Sequence, residues 1–325
     1  MAEWLYEAGT GENRAILVED DEILEAAIEL PDEMRCGSVL GGRLISIAIP
    51  GRRGIVETQQ GPVMVEPLPP GLTEGRKVRV EIVREPIAEP GKPKFAKGLI
   101  TDAQEREGPS LAERIGSPNP LGPHGPDRFE EAGWSELIEQ ALGGEIAFPG
   151  GALRMSLTPA MTLFDVDGFL PPADLAIAGA EAAAKAIRRL DIGGSIGIDL
   201  PTTPSRADRL RAAAALDATL PPPFERTAIN GFGFLQVVRR RQRLSLPERL
   251  QWDAVGGAAR DLLRRAERHP GVGPREIVAA PAVIARLRET PDWLEALARR
   301  IGAPVALRQE ARLTTWQGHV HAQPS

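Results

Sequence analysis

The segment from Met161 to Leu200 restricts the fold more than any other part of the chain. It reads as an apolar strand, Met161 to Val166, then an Ala-rich helix without internal proline, Leu175 to Leu190, then a second apolar strand, Ser195 to Leu200. Strand, crossover helix, strand is the order that places two parallel neighbours in one sheet. A short amphipathic helix, Trp134 to Leu142, precedes it. A further helix follows, with Thr203 as its N-cap and Pro204 in the first helical position, running to about Leu220. Two strands, Glu225 to Ile229 and Phe232 to Arg239, flank the turn pair Asn230-Gly231. Leu250 to Arg268 is another helix. From Ile277 the pattern suggests a small closing unit of strand, two short helices and terminal strands.

Upstream the chain is β-rich. Trp4 to Ala8, Arg14 to Val18 and Ile23 to Leu30 read as strands, too few to close a core of their own. From Gly37 to Ile100, Gly or Pro interrupts short alternating runs at a spacing that predicts a five-stranded barrel of the OB type. Residues 102–130 hold Pro109, Pro118, Pro120, Pro123 and Pro126 with no hydrophobic period, and read as a linker. The expected fold is therefore a multidomain α+β and α/β chain. Residues 1–35 should pack on the C-terminal part, 36–101 should form the barrel, and 102–130 should link it to an α/β domain at 131–245. A helix and a small α/β unit should complete the chain at 246–325. A length of 325 residues and a hydrophobic share of 42% suit two or three such cores.

The formal net charge of −6 excludes a generally basic protein, so contact with phosphate backbones requires a local cluster. With aromatics at 4%, any platform for stacking bases must be small. The single cysteine, Cys36, rules out an internal disulfide framework and a cysteine-based zinc site, and suits a reducing compartment. With no basic-then-apolar leader and no apolar run of about 20 residues, a soluble, unprocessed, cytoplasmic protein with no membrane partner is expected.

Chemistry concentrates where the two apolar strands end. Asp165 and Asp167, one residue apart, project from one face of the first strand, and Asp199 ends the second. If the strands are parallel neighbours, three carboxylates meet at the carboxyl edge of the sheet, where open α/β sheets bind ligands. Hard oxygen donors there suit Mg²⁺, which takes one or two carboxylates and leaves positions for water and substrate phosphate. The alternative is structural, with Asp165 and Asp167 forming a turn before Gly168 and Asp199 stabilising the loop at Pro201. Arg239, Arg240, Arg241 and Arg243, with Arg206 and Arg209 on the helix after Asp199, form the basic cluster for phosphate contact, against the alternative of a solvated strand end. Phe232 and Phe234 alternate with glycines and are expected in the core rather than against a base. His319 and His321 share a strand face at the chain end and lack the partners of a metal site. Gly193-Gly194 lacks the lysine and helix start of a phosphate loop, which argues against an ATPase.

Three segments resemble the ribonuclease E/G family in order and spacing. Met161-Thr162-Leu163-Phe164-Asp165-Val166-Asp167 is similar to the strand that carries the family's first catalytic aspartate. Asp191 to Asp199, with its Gly-Gly-Ser-Ile-Gly-Ile-Asp ending, is similar to the strand entering the second. Gly231-Phe232-Gly233-Phe234-Leu235, trailing into Arg239-Arg240-Arg241, resembles the strand that follows. The resemblance covers about residues 134–245. It implies a ribonuclease H-like strand set followed by the barrel and a metal-nuclease domain. Mg²⁺, or Mn²⁺ in its place, would be held by Asp165 and Asp199, with Asp167 where the family usually has Asn. It further implies hydrolysis of single-stranded RNA by a metal-activated water, leaving a 5′-phosphate.

The chain departs from the family pattern in ways that matter. No paired cysteines follow the catalytic segment, so no zinc link is expected. Residues 102–130 are too few to hold the domain that senses RNA 5′-monophosphates. Gly231 and Thr202 replace a basic and an acidic residue, and the barrel lacks exposed aromatics near Arg52 to Val65. Two readings follow: a Mg²⁺-dependent endoribonuclease, and a catalytically weak descendant that binds RNA or a partner protein. A metal-dependent phosphatase would share the carboxylates without needing the barrel.

Overall fold

The computed structural model describes residues 1–322. The chain opens with β1 (Glu3–Ala8), β2 (Asn13–Glu19) and β3 (Glu22–Glu29), then β4 (Val39–Ile49), β5 (Arg53–Thr58), β6 (Gly61–Val65), β7 (Lys77–Arg84) and β8 (Ala96–Thr101). Helices α1 (Leu111–Arg114), α2 (Arg128–Glu131) and α3 (Trp134–Gly143) lead to β9 (Glu145–Phe148), β10 (Gly151–Leu157) and β11 (Thr162–Gly168). Then come α4 (Pro172–Arg189), β12 (Gly194–Asp199), α5 (Arg206–Thr219), β13 (Glu225–Arg226) and β14 (Phe234–Arg239). The last stretch holds α6 (Leu246–Trp252), α7 (Ala254–Arg268), β15 (Arg275–Ala279), α8 (Pro281–Glu289), α9 (Pro291–Ile301), β16 (Val305–Gln309) and β17 (His319–Ala322). The fold mixes α and β structure, with several sheets and one closed barrel. It divides into two compact units that interleave along the sequence.

One unit takes residues 1–31, 117–142 and those from Arg249 on. Its antiparallel sheet β1-β2-β3 and its second sheet, β16-β15-β17, are accompanied by α7, α8 and α9. Leu262, Leu263, Ile277, Val283, Ile284 and Leu297 form a core there. Buried charge ties the first strands to α7. Glu12 accepts from Arg14 Nε and Arg260 Nε, both at 2.7 Å, and Glu7 accepts from Arg264 Nε at 2.8 Å and from Arg268. A buried carboxylate with two guanidinium partners recovers in paired hydrogen bonds what it loses in hydration.

The other unit takes residues 32–116 and 143–248. Its barrel closes in the order β4-β5-β6-β8-β7, so the five-stranded barrel expected from the turn spacing is present. Alternating residues, including Leu44, Val56, Val63, Val80 and Ile82, fill its interior. Beside it lies a six-stranded sheet of order β13-β14-β12-β11-β10-β9. Within it β11 and β12 are parallel and joined by α4, while the other pairs are antiparallel. Phe164, Val166, Ile196 and Ile198 are buried on one face. Helix α4 starts with Pro172 in its first turn, ends with Arg188 and Arg189 against its dipole, and buries Ala180, Ala183 and Ala184. At Gly179 a Cβ would lie 2.5 Å from Val166 Cγ1, so only glycine lets the helix come this close.

Two local expectations are corrected. The helix after β12 is capped by Ser205, whose side chain accepts from the Asp208 amide, while Thr203 is buried ahead of it. Both residue types can cap, and the buried site of Thr203 decided between them. Residues 102–130, expected as a linker, contain α1 and α2 and bury Leu111 and Phe129. Each anchor is isolated among prolines and glycines, which hides any period.

Candidate metal and nucleic-acid site

The carboxyl edge of β11 and β12 carries the acidic residues. The strands pair in parallel from Thr162 with Ile196 to Asp165 with Asp199, so the two aspartates stand at one register level on adjacent strands. Residues paired in register share a sheet face, and adjacent strands lie about 4.8 Å apart. Asp165, Asp167 and Asp199 are all exposed. Their face opposes the one buried by Phe164, Val166, Ile196 and Ile198. Two hard carboxylates so placed match the usual protein contribution to a Mg²⁺ shell, completed by water and substrate oxygens. They do not make an all-protein cage. Among the described residues no three His, Cys, Asp or Glu side chains group in a way that would hold a metal.

Asp167 lies on the same exposed face of β11 as Asp165. Its Oδ2 pairs with Arg154 Nη1 at 3.3 Å, and Arg154 stands opposite Asp165 on β10. Arg154 is a residue that the sequence reading passed over, although Ala152-Leu153-Arg154-Met155-Ser156-Leu157 alternates with period two and marks a strand with Arg154 on its polar face. The arginine sets one positive charge among the three carboxylates.

The loop after Asp199 brings two more cations to this edge. Arg206 opens α5 and is exposed. Arg209 Nη1 donates to the carbonyls of Thr203 at 2.6 Å and Pro204 at 3.2 Å, which fixes the loop. On the other side, β14 begins opposite Asp199, with Phe234 as its register partner. The turn before it differs from the core position expected for Phe-Gly-Phe. Phe232 is 83% exposed. Phe234 is half-buried and lies against Gly197, where a Cβ would be 2.7 Å from its ring.

The basic run at the far end of β14 is a different place. Arg239 pairs in register with Gly194, five residues from Asp199, or roughly 16 Å along the strand. The structure does not bring this cluster to the aspartates. Most of it serves the fold instead. Arg239 Nη1 donates to the carbonyls of Ile187 at 3.4 Å and Ile192 at 3.1 Å, capping the end of α4. Arg241 pairs with Glu248 at 2.5 Å, and Arg243 with Asp191 at 3.4 Å. Arg240 is exposed. A cavity of about 270 Å³ lies here, lined by Arg239 to Arg243, Asp191 and Pro223. The expectation of a free basic cluster is thus corrected for Arg239, Arg241 and Arg243, because their partners come from distant sequence.

A prediction follows from this split. Arg239→Ala should lower stability by about 1–2 kcal/mol, since two carbonyls at the helix end lose a charged donor. Arg240→Ala should leave stability unchanged and, if this surface touches RNA, reduce the salt slope of binding by about one. Urea unfolding and binding titrations across salt concentrations check the pair; equal loss of stability in both variants would contradict the assignment.

Cys36 is structural. Its Sγ donates to the Gln242 carbonyl at 3.3 Å, and burial together with the Glu85 carboxylate pushes the thiol up to about 11. It stays protonated at neutral pH and offers no nucleophile. No helix among the described residues is long and apolar enough to cross a membrane. Comparison with protein-family models and with curated proteins gave no match for this chain.

Proposed function

We propose that this protein is a Mg²⁺-dependent endoribonuclease of the ribonuclease E/G type, cleaving single-stranded RNA in the cytoplasm. The observation that carries the reading is the in-register pair Asp165 and Asp199 on neighbouring parallel strands, exposed at the carboxyl edge of the sheet. The resemblance of the segments ending in these residues to the family's catalytic strands supplies the reaction. The closed five-stranded barrel, read as OB-like, supplies a second surface for the RNA.

Asp165 and Asp199 are the residues that would hold the metal, and Mn²⁺ suits the same donors. When bound there, Mg²⁺ supplies Lewis-acid polarisation of a phosphoryl oxygen and activation of an attacking water. The chain's own groups do the rest. Arg154 neutralises Asp167 and limits repulsion between the carboxylates and an incoming phosphate. Arg206, exposed at the start of α5, offers a cation and a helix N-terminus to the RNA backbone. Arg209 holds the loop that positions it.

The test uses the purified full chain, a fluorescent single-stranded oligoribonucleotide and Mg²⁺, with and without EDTA. Cleavage at internal phosphodiesters that EDTA abolishes, giving 5′-phosphate products, is the expected result. Hydrolysis of p-nitrophenyl phosphate without cleavage of the RNA would point to a phosphatase and overturn it.

A second reading, a catalytically weak descendant that binds RNA or a partner protein, has one observation in its favour. The barrel bears a groove of about 860 Å³ whose wall carries Arg43, Lys77 and Arg79 together with Glu57, Asp102 and Glu105, a mixed-charge surface for a partner. That surface is independent of Asp165 and Asp199, so binding without cleavage would select this reading.

A further inference from the structure

Two aromatic rings stand exposed at the carboxyl edge that holds the aspartate pair. Phe169 directly follows the end of β11, two residues past Asp167, and is 85% exposed. Phe232 precedes β14 by two residues and is 83% exposed. The strand order places β12, ending in Asp199, between them. The rings therefore leave the sheet on either side of the Asp199 strand, from strands about 9.6 Å apart at two spacings.

Neither ring is out by accident of a loose loop. Asn230 Oδ1 accepts from the amides of Phe232 at 2.9 Å and Phe234 at 3.0 Å, closing an Asx-type turn. Thr202 Oγ1, three residues past Asp199, donates to the Phe232 carbonyl at 3.1 Å, and the Leu200 amide donates to the Gly233 carbonyl at 3.3 Å. Gly233 has φ +95°, and a Cβ there would lie 2.1 Å from the Leu200 carbonyl oxygen, so only glycine makes this turn. The backbone of Phe232 is held against the loop that leaves Asp199, and the ring is left free. At the other strand the Phe169 amide donates to the Gly150 carbonyl at 3.1 Å. Leu170 covers Gly150, where a Cβ would lie 2.4 Å from Leu170 Cδ1. The apolar residue next in sequence is packed down while Phe169 is turned out.

We infer that Phe169 and Phe232 are positioning residues that stack unpaired nucleobases on the two sides of the phosphodiester presented to Asp165 and Asp199. This rests on the endoribonuclease reading and adds to it a basis for single-strand selectivity. Every base has a π-face, so stacking on an aromatic is tolerant of sequence, and a base already paired and stacked in a duplex cannot use it. The surroundings fit a nucleic acid better than a protein partner. The exposed residues near these positions along the chain are polar, Asp167 two residues before Phe169 and Thr202 bonded to the Phe232 carbonyl, which differs from the broad apolar patch that a protein interface presents.

The experiment measures binding of a fluorescein-labelled ten-nucleotide single-stranded RNA in EDTA, where no cleavage occurs, alongside Mg²⁺-dependent single-turnover cleavage. Phe169→Ala and Phe232→Ala should each weaken binding about tenfold, and Phe→Trp at either position should restore it. Both exposed positions should keep the wild-type melting temperature. An RNA scanned with single abasic nucleotides should then identify the stacked bases. For the wild type one abasic position per ring should weaken binding, and the matching Ala variant should show no further loss at that position, which a merely structural role would not produce. If the wild type binds and cleaves while the Ala variants match it, or if the abasic losses are the same in variant and wild type, the stacking inference fails and the ribonuclease reading stands. If the wild type neither binds nor cleaves, both fail.

Discussion

Asp199→Asn is expected to reduce single-turnover cleavage of single-stranded RNA by about a thousandfold or more, with Asp165→Asn matching it, while both variants fold and bind RNA as the wild type does. The magnitude follows from the role. A metal's stabilisation of developing charge on a phosphoryl oxygen is worth several kcal/mol, and each 1.4 kcal/mol or so is a factor of ten in rate. Asn keeps the size and one oxygen of Asp but removes the formal charge that draws a divalent cation to the edge. Folding should be indifferent, because both side chains are exposed and stand side by side. Removing one of two neighbouring negative charges relieves repulsion in the metal-free protein. Binding should survive because the contacts proposed for it use other groups, among them the exposed Arg206, Phe169 and Phe232. Measuring at saturating protein removes affinity from the comparison. If wild type and both variants prove equally inactive with Mg²⁺ and with Mn²⁺, the enzyme reading falls and the binding module takes its place.

How much of this was readable beforehand divides along physical lines. The aspartate pair was legible because it depends on local facts: two apolar runs of strand length, a proline-free helix between them, and an aspartate at the end of each. Parallel pairing then follows from the order of elements, and the register at Asp165 and Asp199 from strands of similar length. The barrel was legible for a similar reason, since turn residues at regular spacing punctuate it. The basic run was not. Whether Arg239 meets RNA or caps α4 depends on where β14 ends relative to a helix about fifty residues earlier, and no local pattern states that. Phe232 was misplaced because Phe-Gly-Phe alternates as a strand does, whereas the left-handed backbone at Gly233 breaks the alternation one residue before β14 begins. The interleaved units were hidden too, because their segments are joined by buried ion pairs between residues some 250 positions apart.

Those ion pairs lead to the second large effect, on stability rather than chemistry. Glu12→Gln should destabilise the unit formed by residues 1–31, 117–142 and those from Arg249 on by about 3–5 kcal/mol, the loss typical when one partner of a buried ion pair is removed. Glu12 is 4% exposed and lies between Arg14 and Arg260, which are 1% and 2% exposed. With the carboxylate gone, two guanidinium groups remain inside with less to balance them. The same arrangement fixes a pH dependence. Burial alone would raise the Glu12 carboxyl, but the charges and hydrogen bonds of Arg14 and Arg260 together outweigh it and hold the group below the ordinary value of 4.5. At neutral pH the carboxyl is ionised both folded and unfolded, and its full contribution is present. As pH falls below 4.5 the unfolded chain takes up the proton first, so this contribution declines and is lost once pH passes the lower folded value. Fluorescence can follow this unit selectively, because all five tryptophans, Trp4, Trp134, Trp252, Trp293 and Trp316, belong to it. Urea titrations read by tryptophan emission should give a wild-type midpoint that drops between pH 6 and about pH 3. The Glu12→Gln midpoint should be lower at pH 6 and should converge on the wild type in acid, where Glu12 too is uncharged. A constant gap between the two proteins across that range would mean that the substitution acts through packing and that the charge of Glu12 does not hold the first strands to α7.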